Sequence, residues 1–157
     1  MAVSDPELRP GELPAGSGGI ILRAATPADL PRIHAIRHGV TENILRDRSK
    51  VSDAEVAWYM EQAVFLVSEA YGEIAGFTCA NHQSALVWAL FIDPAHEGRG
   101  HGRALLDAAL ARLVENGHRQ AWLTTGAGTR AERFYREHGW RDMGRHLDGQ
   151  VVFVREL

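Results

Sequence analysis

The stretch LFIDPAHEGRGHGRALL, residues 90–106, runs from an apolar strand-like segment through a glycine-rich loop into an apolar helix. Its glycines and cations are Gly98, Gly100, Gly102, Arg99 and Arg103. The glycines leave the first turn of the helix without bulky side chains, and the arginines surround it with positive charge. Because the first N–H groups of a helix have no intrahelical acceptor and the helix dipole is positive there, this loop suits an anion, above all a phosphate.

Two common phosphate loops do not fit this spacing. A Walker loop needs Lys followed by Ser or Thr after its last glycine, and Arg103 and Ala104 stand there. A dinucleotide fingerprint needs a third glycine at the sixth place, which is Arg103 counted from Gly98 and Leu105 counted from Gly100. A nucleotide hydrolase and a dinucleotide-binding protein are therefore both disfavoured.

The composition indicates one globular domain without disulfides. The 157 residues are 45% hydrophobic and 24% charged, and the net charge of −3 argues against general nucleic-acid binding. Cys79, the single cysteine, lies in a strand-like run, which predicts a buried structural thiol. No apolar run reaches membrane-spanning length, so we expect a cytoplasmic protein without a membrane partner.

Hydrophobic periodicity divides the chain into a leader rich in Pro, Gly and Ser, residues 1–19, and a single domain, residues 20–157. We predict strands at 20–23, 64–68, 74–80, 84–92, 120–124, 140–145 and 150–156. We predict a helix from Thr26 and a second from Ser52, with Glu55 in a capping box and Ala63 on its inward face. We predict a third from the glycine loop to Gly117, with Leu113 and Val114 on its apolar face, and a fourth over 129–138. This order indicates an α/β or α+β domain with a mixed sheet, antiparallel at first and parallel at the helical crossovers.

Two segments resemble motifs of the GNAT superfamily of N-acetyltransferases. In residues 90–106, Gly100 and Gly102 match the family's glycines of the acetyl-CoA loop, and Glu97 stands at its Arg/Gln position. The segment TRAERFYREHGW, residues 129–140, resembles the second motif. There the matching residues are Ala131, Tyr135 and Gly139, whereas Trp140 replaces Phe and Gly128 stands at the family's Asn.

The resemblance implies a mixed, mostly antiparallel central sheet of six to seven strands, with about four flanking helices and a splayed, bulged central strand. It also implies acetyl-CoA as cosubstrate and an amine as acceptor, with direct transfer through a tetrahedral intermediate. The residues implied to bind acetyl-CoA are Leu90, Phe91, Ile92, Glu97, Gly98, Arg99, Gly100, His101, Gly102, Arg103 and Arg130. The alternative is a non-catalytic acyl-CoA-binding or sensing module on the same fold.

The same resemblance implies Tyr135 as general acid to the CoA thiolate, the other interpretation being a core aromatic beside Phe134. For the general base, Glu42 is the first choice, and His82, His96 and a water relay stay open.

The acceptor is expected to lie near one group of residues. These are Arg37, Thr41, Glu42, Asn43 and Trp88. The acidic member of this group weakly favours a cationic amine. No residue spacing predicts a metal site, and a homodimer is left open.

Overall fold

The computed structural model describes residues 19–39, 54, 58, 60 and 63–157, and this part of the chain contains seven strands and three helices. The strands are β1 (Ile21–Ala24), β2 (Ala63–Ala70), β3 (Glu73–Asn81), β4 (Val87–Ile92), β5 (Gln120–Thr125), β6 (Arg141–Arg145) and β7 (Val151–Glu156). The helices are α1 (Leu30–Gly39), α2 (His101–Glu115) and α3 (Arg130–Glu137). No helix among the described residues has both the length and the apolar character needed to cross a membrane.

The first four strands form one antiparallel meander in the order β1-β2-β3-β4. The β2–β3 hairpin turns at Tyr71 and Gly72, which both have positive φ, at 53° and 79°. Two successive positive φ values are typical of the tight turns whose twist matches that of paired strands. Because β3 lies inside this sheet and is mostly apolar, its residues from Ile74 to Ala80 are all buried.

The last three strands form a second antiparallel ladder in the order β5-β7-β6. The two ladders meet at a single parallel bridge between Leu86 and Trp122, where the Trp122 N–H donates to the Ala85 carbonyl at 3.1 Å. We predicted parallel pairing of strands where a helix crosses over between them. Among the described residues, this one bridge is the parallel pairing that the structure shows. Beyond it the described part of the chain shows no ladder between β4 and β5, so the two strands diverge.

A β-bulge interrupts the pairing of β4 with β3. Cys79 lies opposite Ala89 and Ala80 lies opposite Val87, so Trp88 is the extra residue. The bulge places Trp88 and Ala89 in the core cluster on the α1 side of the sheet, although they are adjacent in sequence. The predicted bulged, splayed central strand is confirmed.

The described helices begin and end at recognisable cap residues. Before α1, the Thr26 N–H donates to the Asp29 carboxylate at 2.8 Å, and Pro27 opens a 3₁₀ turn that leads into the helix. Thr129 caps α3 by accepting from the Glu132 N–H at 3.2 Å. Gly117 follows α2 with φ 89°, as predicted for its C′ residue.

Two cores lie on opposite faces of the first sheet. One packs β2 and β3 against Ile33 and Ile36 of α1 and contains Cys79, which is fully buried as predicted. The other packs α2 and the second ladder against the opposite face, with Leu105, Leu113 and Phe153 at its centre. Burial raises the pKa of the Cys79 thiol, so this sulfur stays protonated.

Some predicted boundaries were wrong. Of the second predicted helix, the structure describes residues 54, 58 and 60 alone, all of them helical, while the predicted cap residues Ser52 and Glu55 lie outside the described residues, so its start stays a prediction. Ala63, assigned to that helix, begins β2. Val114, expected on the apolar face of α2, is 51% exposed. The strand expected from residue 84 begins at Val87, because the backbone turns between Asn81 and Leu86.

Candidate active site

The glycine loop leaves β4 through a rigid junction at Asp93. The Asp93 N–H donates to the Ala75 carbonyl at 2.7 Å, and its carboxylate accepts from the Ala95 N–H at 3.0 Å. Arg32 of α1 donates to the same carboxylate and to Glu73. Hydrogen bonding from the backbone and from Arg32 outweighs desolvation and lowers the pKa of Asp93. The loop therefore starts from a defined position at the end of β4.

The start of α2 is bare, as its sequence predicted. Gly100 is the N-cap residue with φ 92°, and it offers no side chain to cap the helix. The first intrahelical bond runs from the Ala104 N–H to the Gly100 carbonyl at 3.1 Å. Because this geometry leaves the N–H groups of residues 101–103 without intrahelical acceptors, they are available to an anion.

His101 has its side chain turned into the protein, below the loop. It is 2% exposed, and its Nδ1 lies 3.0 Å from the hydroxyl oxygen of Ser68 on β2. Desolvation, with smaller effects from His96 and Arg99, lowers the pKa of His101, so its ring is neutral near pH 7. His101 was implied to bind acetyl-CoA. Because its side chain is buried, only its backbone N–H, at the start of α2, is placed to contact a ligand at the loop.

The edge of β4 that faces away from β3 presents unpaired backbone groups. Asp93 and Ala75 form a hydrogen-bonded pair, and antiparallel pairs alternate, so the backbone groups of Phe91 face β3. Those of Leu90 and Ile92 must then point to the other side, where no ladder within the described residues covers them. Of the three β4 residues implied to bind acetyl-CoA, Leu90 and Ile92 present their backbone groups at this open edge, whereas the backbone groups of Phe91 face β3.

A space lies beside the open edge of β4 and the start of α2, and we call it the opening. The second sequence motif, residues 129–140, forms its opposite wall. A Cβ atom added at Gly102 would lie 3.6 Å from the Phe134 ring and 3.8 Å from Ile92, so α3 packs directly on the start of α2. Arg130, the first residue of α3, forms an ion pair with Glu97 of the loop, with a nitrogen–oxygen distance of 2.8 Å. The two motifs recognised in the sequence are therefore brought together in space.

Three arginines surround the loop at the protein surface. Arg99 is exposed, and the side chains of Arg103 and Arg130 are 72% and 61% exposed. Glu97 lies among them, so the negative charge at the position of the family's Arg or Gln is partly neutralised by Arg130. Three arginine side chains and the positive end of the α2 dipole thus lie around the loop, an arrangement that suits a phosphorylated ligand.

Tyr135 lies deep in the wall formed by α3. It is 6% exposed and makes edge-to-face contacts with Phe134 and Trp140, at ring-centroid distances of 5.3 and 5.6 Å. Burial raises the pKa of its phenol, so the hydroxyl keeps its proton. Tyr135 belongs to the same core cluster against which Leu90 and Ile92 pack. This placement is compatible with a proton donor and with a core aromatic.

The residues predicted to face the acceptor are only partly described. Arg37, in the last turn of α1, is 4% exposed, and Trp88 lies half-buried on the α1 side of β4. Both lie on the face of the sheet opposite to Tyr135. Three further predicted residues lie outside the described part of the chain, namely Thr41, Glu42 and Asn43.

The two histidines considered as general bases lie apart from each other. His82 is hydrogen-bonded to Asn116, just after the C-terminus of α2, at 2.8 Å. His96 packs edge-on against His101 beneath the loop, 5.8 Å between ring centroids. They therefore lie near opposite ends of α2, and His96 is nearly enclosed.

A cluster of Glu73, Asp93 and His96 was not anticipated from the sequence, because its members are far apart along the chain. Their candidate ligand atoms lie within 4.8 Å of one another. The Arg32 guanidinium already pairs with both carboxylates. This cluster is therefore an ion-pair network that anchors the glycine loop to α1.

Solved structures share the fold of this chain. The PaiA N-acetyltransferase of Thermoplasma acidophilum, solved in complex with coenzyme A, matches 88% of this chain and 99% of its own with a TM-score of 0.78. Its sequence is 15% identical, so the likeness concerns the fold. The fold is thus that of the N-acetyltransferases.

The chain belongs to the GNAT acetyltransferase family. The family model for the acetyltransferase (GNAT) domain matches residues 41–152. The mycothiol acetyltransferase of Clavibacter sepedonicus is 37% identical over 89 residues, covering 55% of this chain and 29% of that protein. The L-methionine sulfoximine/L-methionine sulfone acetyltransferase of Salmonella typhimurium is 30% identical over 114 residues, covering 62% of this chain and 63% of that protein. The chain spans less than two thirds of the length of either relative.

Proposed function

We propose that the protein is an N-acetyltransferase that moves the acetyl group of acetyl-CoA to an amine. The observation that carries this proposal is the open edge of β4, where the backbone groups of Leu90 and Ile92 lead directly to the bare N-terminus of α2. An extended pantetheine arm pairs with such an edge as an added strand does. The helix N-terminus and the arginines around it hold the pyrophosphate.

The proposed chemistry is direct transfer. The amine nitrogen forms a bond to the thioester carbon, and the carbon–sulfur bond breaks after a tetrahedral intermediate. An N–H group of β4 stabilises the oxyanion, which is usually a large contribution to acyl transfer. Tyr135 gives its proton to the departing thiolate, and the amine loses one proton to a base. Glu42, which lies outside the described residues, stays our prediction for that base.

We propose a small amine as the acceptor. The two curated relatives are named for small-molecule substrates, which favours a small amine over a protein. A panel should therefore begin with L-methionine sulfoximine and L-methionine sulfone, followed by other amino acids, polyamines and peptide N-termini. A cytoplasmic location also stays a prediction.

The experiment measures thiol release from acetyl-CoA with this panel, and mass spectrometry identifies the acetylated product. We expect Tyr135→Phe to lower kcat by about 100-fold or more, the usual contribution of a general acid, with little change in acetyl-CoA affinity. The matched control is Tyr71→Phe, because Tyr71 is 76% exposed on the β2–β3 turn.

Each outcome has a defined meaning. Equal turnover by the wild type and Tyr135→Phe would remove Tyr135 from the chemistry and leave it as a core aromatic. Acetyl-CoA binding without turnover on any amine would favour the non-catalytic acyl-CoA-binding module. Failure to bind acetyl-CoA at all would contradict the proposed function.

A further inference from the structure

Thr78 is a hydroxyl-bearing residue in the apolar central strand β3. It is fully buried, and its Oγ1 donates a hydrogen bond to the Ala89 carbonyl at 2.8 Å. Ala89 adjoins the bulge of β4, where the pairing with β3 changes register. A buried hydroxyl needs a hydrogen-bond partner, and here the partner belongs to the irregular part of β4.

The Ala89 carbonyl and the Leu90 N–H belong to the same peptide group. A trans peptide is planar, so these two dipoles point in opposite directions. Thr78 holds the carbonyl on the β3 side, and the Leu90 N–H must therefore point to the open edge of β4. This direction agrees with the one obtained independently from the alternation of hydrogen-bonded pairs.

The hydrogen bond from Thr78 also affects the strength of that donor. A peptide whose carbonyl accepts a hydrogen bond is polarised, so its N–H becomes a better donor. Bulged strands have fewer ladder bonds to hold their peptide planes, and a side-chain hydrogen bond compensates for this loss. Thr78 is well placed both to polarise the Ala89–Leu90 peptide and to hold its plane, because its hydroxyl group is fully buried.

We propose that Thr78 is a positioning residue for acetyl transfer: its hydroxyl orients and polarises the peptide whose Leu90 N–H stabilises the oxyanion. The proposal rests on the proposed function. Thr78 does not touch the substrate, and it acts through the Ala89–Leu90 peptide. One weak signal for this role is visible in the sequence, a threonine within the otherwise apolar run IAGFTCA.

The decisive variants are Thr78→Val and Thr78→Ser. Valine keeps the branched shape and loses the hydroxyl, whereas serine keeps the hydroxyl. We expect Thr78→Val to lower kcat about ten-fold, less than removal of an oxyanion donor itself, with KM for acetyl-CoA changed less than two-fold. Thr78→Ser should restore kcat to within about two-fold of the wild type. Thr125→Val, at a buried threonine on β5, is the matched control for loss of a buried hydroxyl.

A second readout does not depend on turnover. In ¹⁵N-labelled protein, the Leu90 amide should shift upfield and exchange with solvent faster in Thr78→Val than in the wild type. Wild-type kcat in Thr78→Val, or failure of Thr78→Ser to restore it, would overturn the proposal. If the wild type acetylates no amine, the proposed function fails, and an unchanged Leu90 amide would then overturn the orienting role as well. Should Thr78→Val not fold, Thr78→Ala serves for both measurements.

Discussion

At the scale of single residues, Glu97 is the departure from the family pattern whose consequence is easiest to measure. Its carboxylate pairs with Arg130 across the opening between the glycine loop and α3. A phosphate bound at the start of α2 would compete with Glu97 for this guanidinium. We therefore expect the ion pair to lower the affinity for acetyl-CoA, although it leaves the bare helix start intact.

We expect Glu97→Gln to bind CoA about two- to five-fold more tightly, which is the range of a partly exposed ion pair. Isothermal titration at low salt measures the dissociation constant. Glu115→Gln is the matched control, since Glu115 is an exposed carboxylate at the opposite end of α2 from the glycine loop. Equal gains in both variants would mean that net charge alone is responsible. A gain that persists in an Arg130→Gln background would show that Glu97 does not act through Arg130.

Two helix caps were predicted correctly from the sequence. Thr26 and Gly117 cap helices as expected, because their roles depend on local geometry. The Glu97–Arg130 pair and the Thr78–Ala89 hydrogen bond were not predicted, because each joins segments that meet only after folding.

At the scale of elements, β3, β4 and α2 converge on Gly76. A Cβ atom at this position would lie 2.8 Å from the Phe91 carbonyl oxygen and 3.3 Å from Leu105 of α2. The carbonyl belongs to the backbone of β4 and cannot rotate away as a side chain can. Gly76 thus allows β4 and α2 to approach β3 closely, in the region from which the glycine loop departs.

We expect Gly76→Ala to destabilise the protein by about 2 kcal/mol, as overpacking in a core does. It should also weaken acetyl-CoA binding, because a shift of β4 moves Leu90 and Ile92. Urea unfolding and titration calorimetry measure the two effects. Gly39→Ala is the control, because a Cβ atom there meets nothing within 4 Å. A Gly76→Ala protein as stable as Gly39→Ala would contradict the close packing.

The type of nearly every described element followed from the sequence, and the errors lay at boundaries. Val114 was placed on the buried face of α2 because it continues an apolar run, yet the sheet covers the face that contains Leu105 and Leu113. The divergence of β4 from β5 was implied by resemblance to the family. It could not be derived from periodicity, since it depends on how two separate ladders dock.

At the scale of the whole molecule, one partly buried network links the turn before α1 to the edge of the first sheet. The Arg23 guanidinium donates to Asp29 at 2.8 and 2.9 Å and to Glu69 of β2 at 3.0 Å. The hydrogen bonds from Arg23, together with those from Thr26, lower the pKa of Asp29 to about 2 despite its desolvation. The stability of the fold therefore depends on ionised Asp29.

Because the folded-state pKa of Asp29 lies below its unfolded value of 3.8, its contribution is complete above about pH 4 and is lost as the pH falls towards 2. This shift corresponds to about 2 kcal/mol of unfolding free energy. We expect Asp29→Asn to be less stable than the wild type by roughly this amount at pH 6, and the difference to vanish near pH 2. Urea unfolding across this range measures it, with Asp107→Asn as control, since Asp107 is an exposed carboxylate on α2. A difference that is independent of pH would show that the Asp29 charge is not responsible.

The separation of the two ladders affects the order in which parts of the chain fold. Strands β1 to β4 pair with their neighbours along the meander, and β5 to β7 pair among themselves, so each half forms from contacts within its own part of the sequence. Contacts between nearby segments form early, and those that close a long loop form late. The opening between β4 and α3 exists only once both halves have docked, so pulse-labelled amide exchange should show this opening as the last feature to appear during refolding.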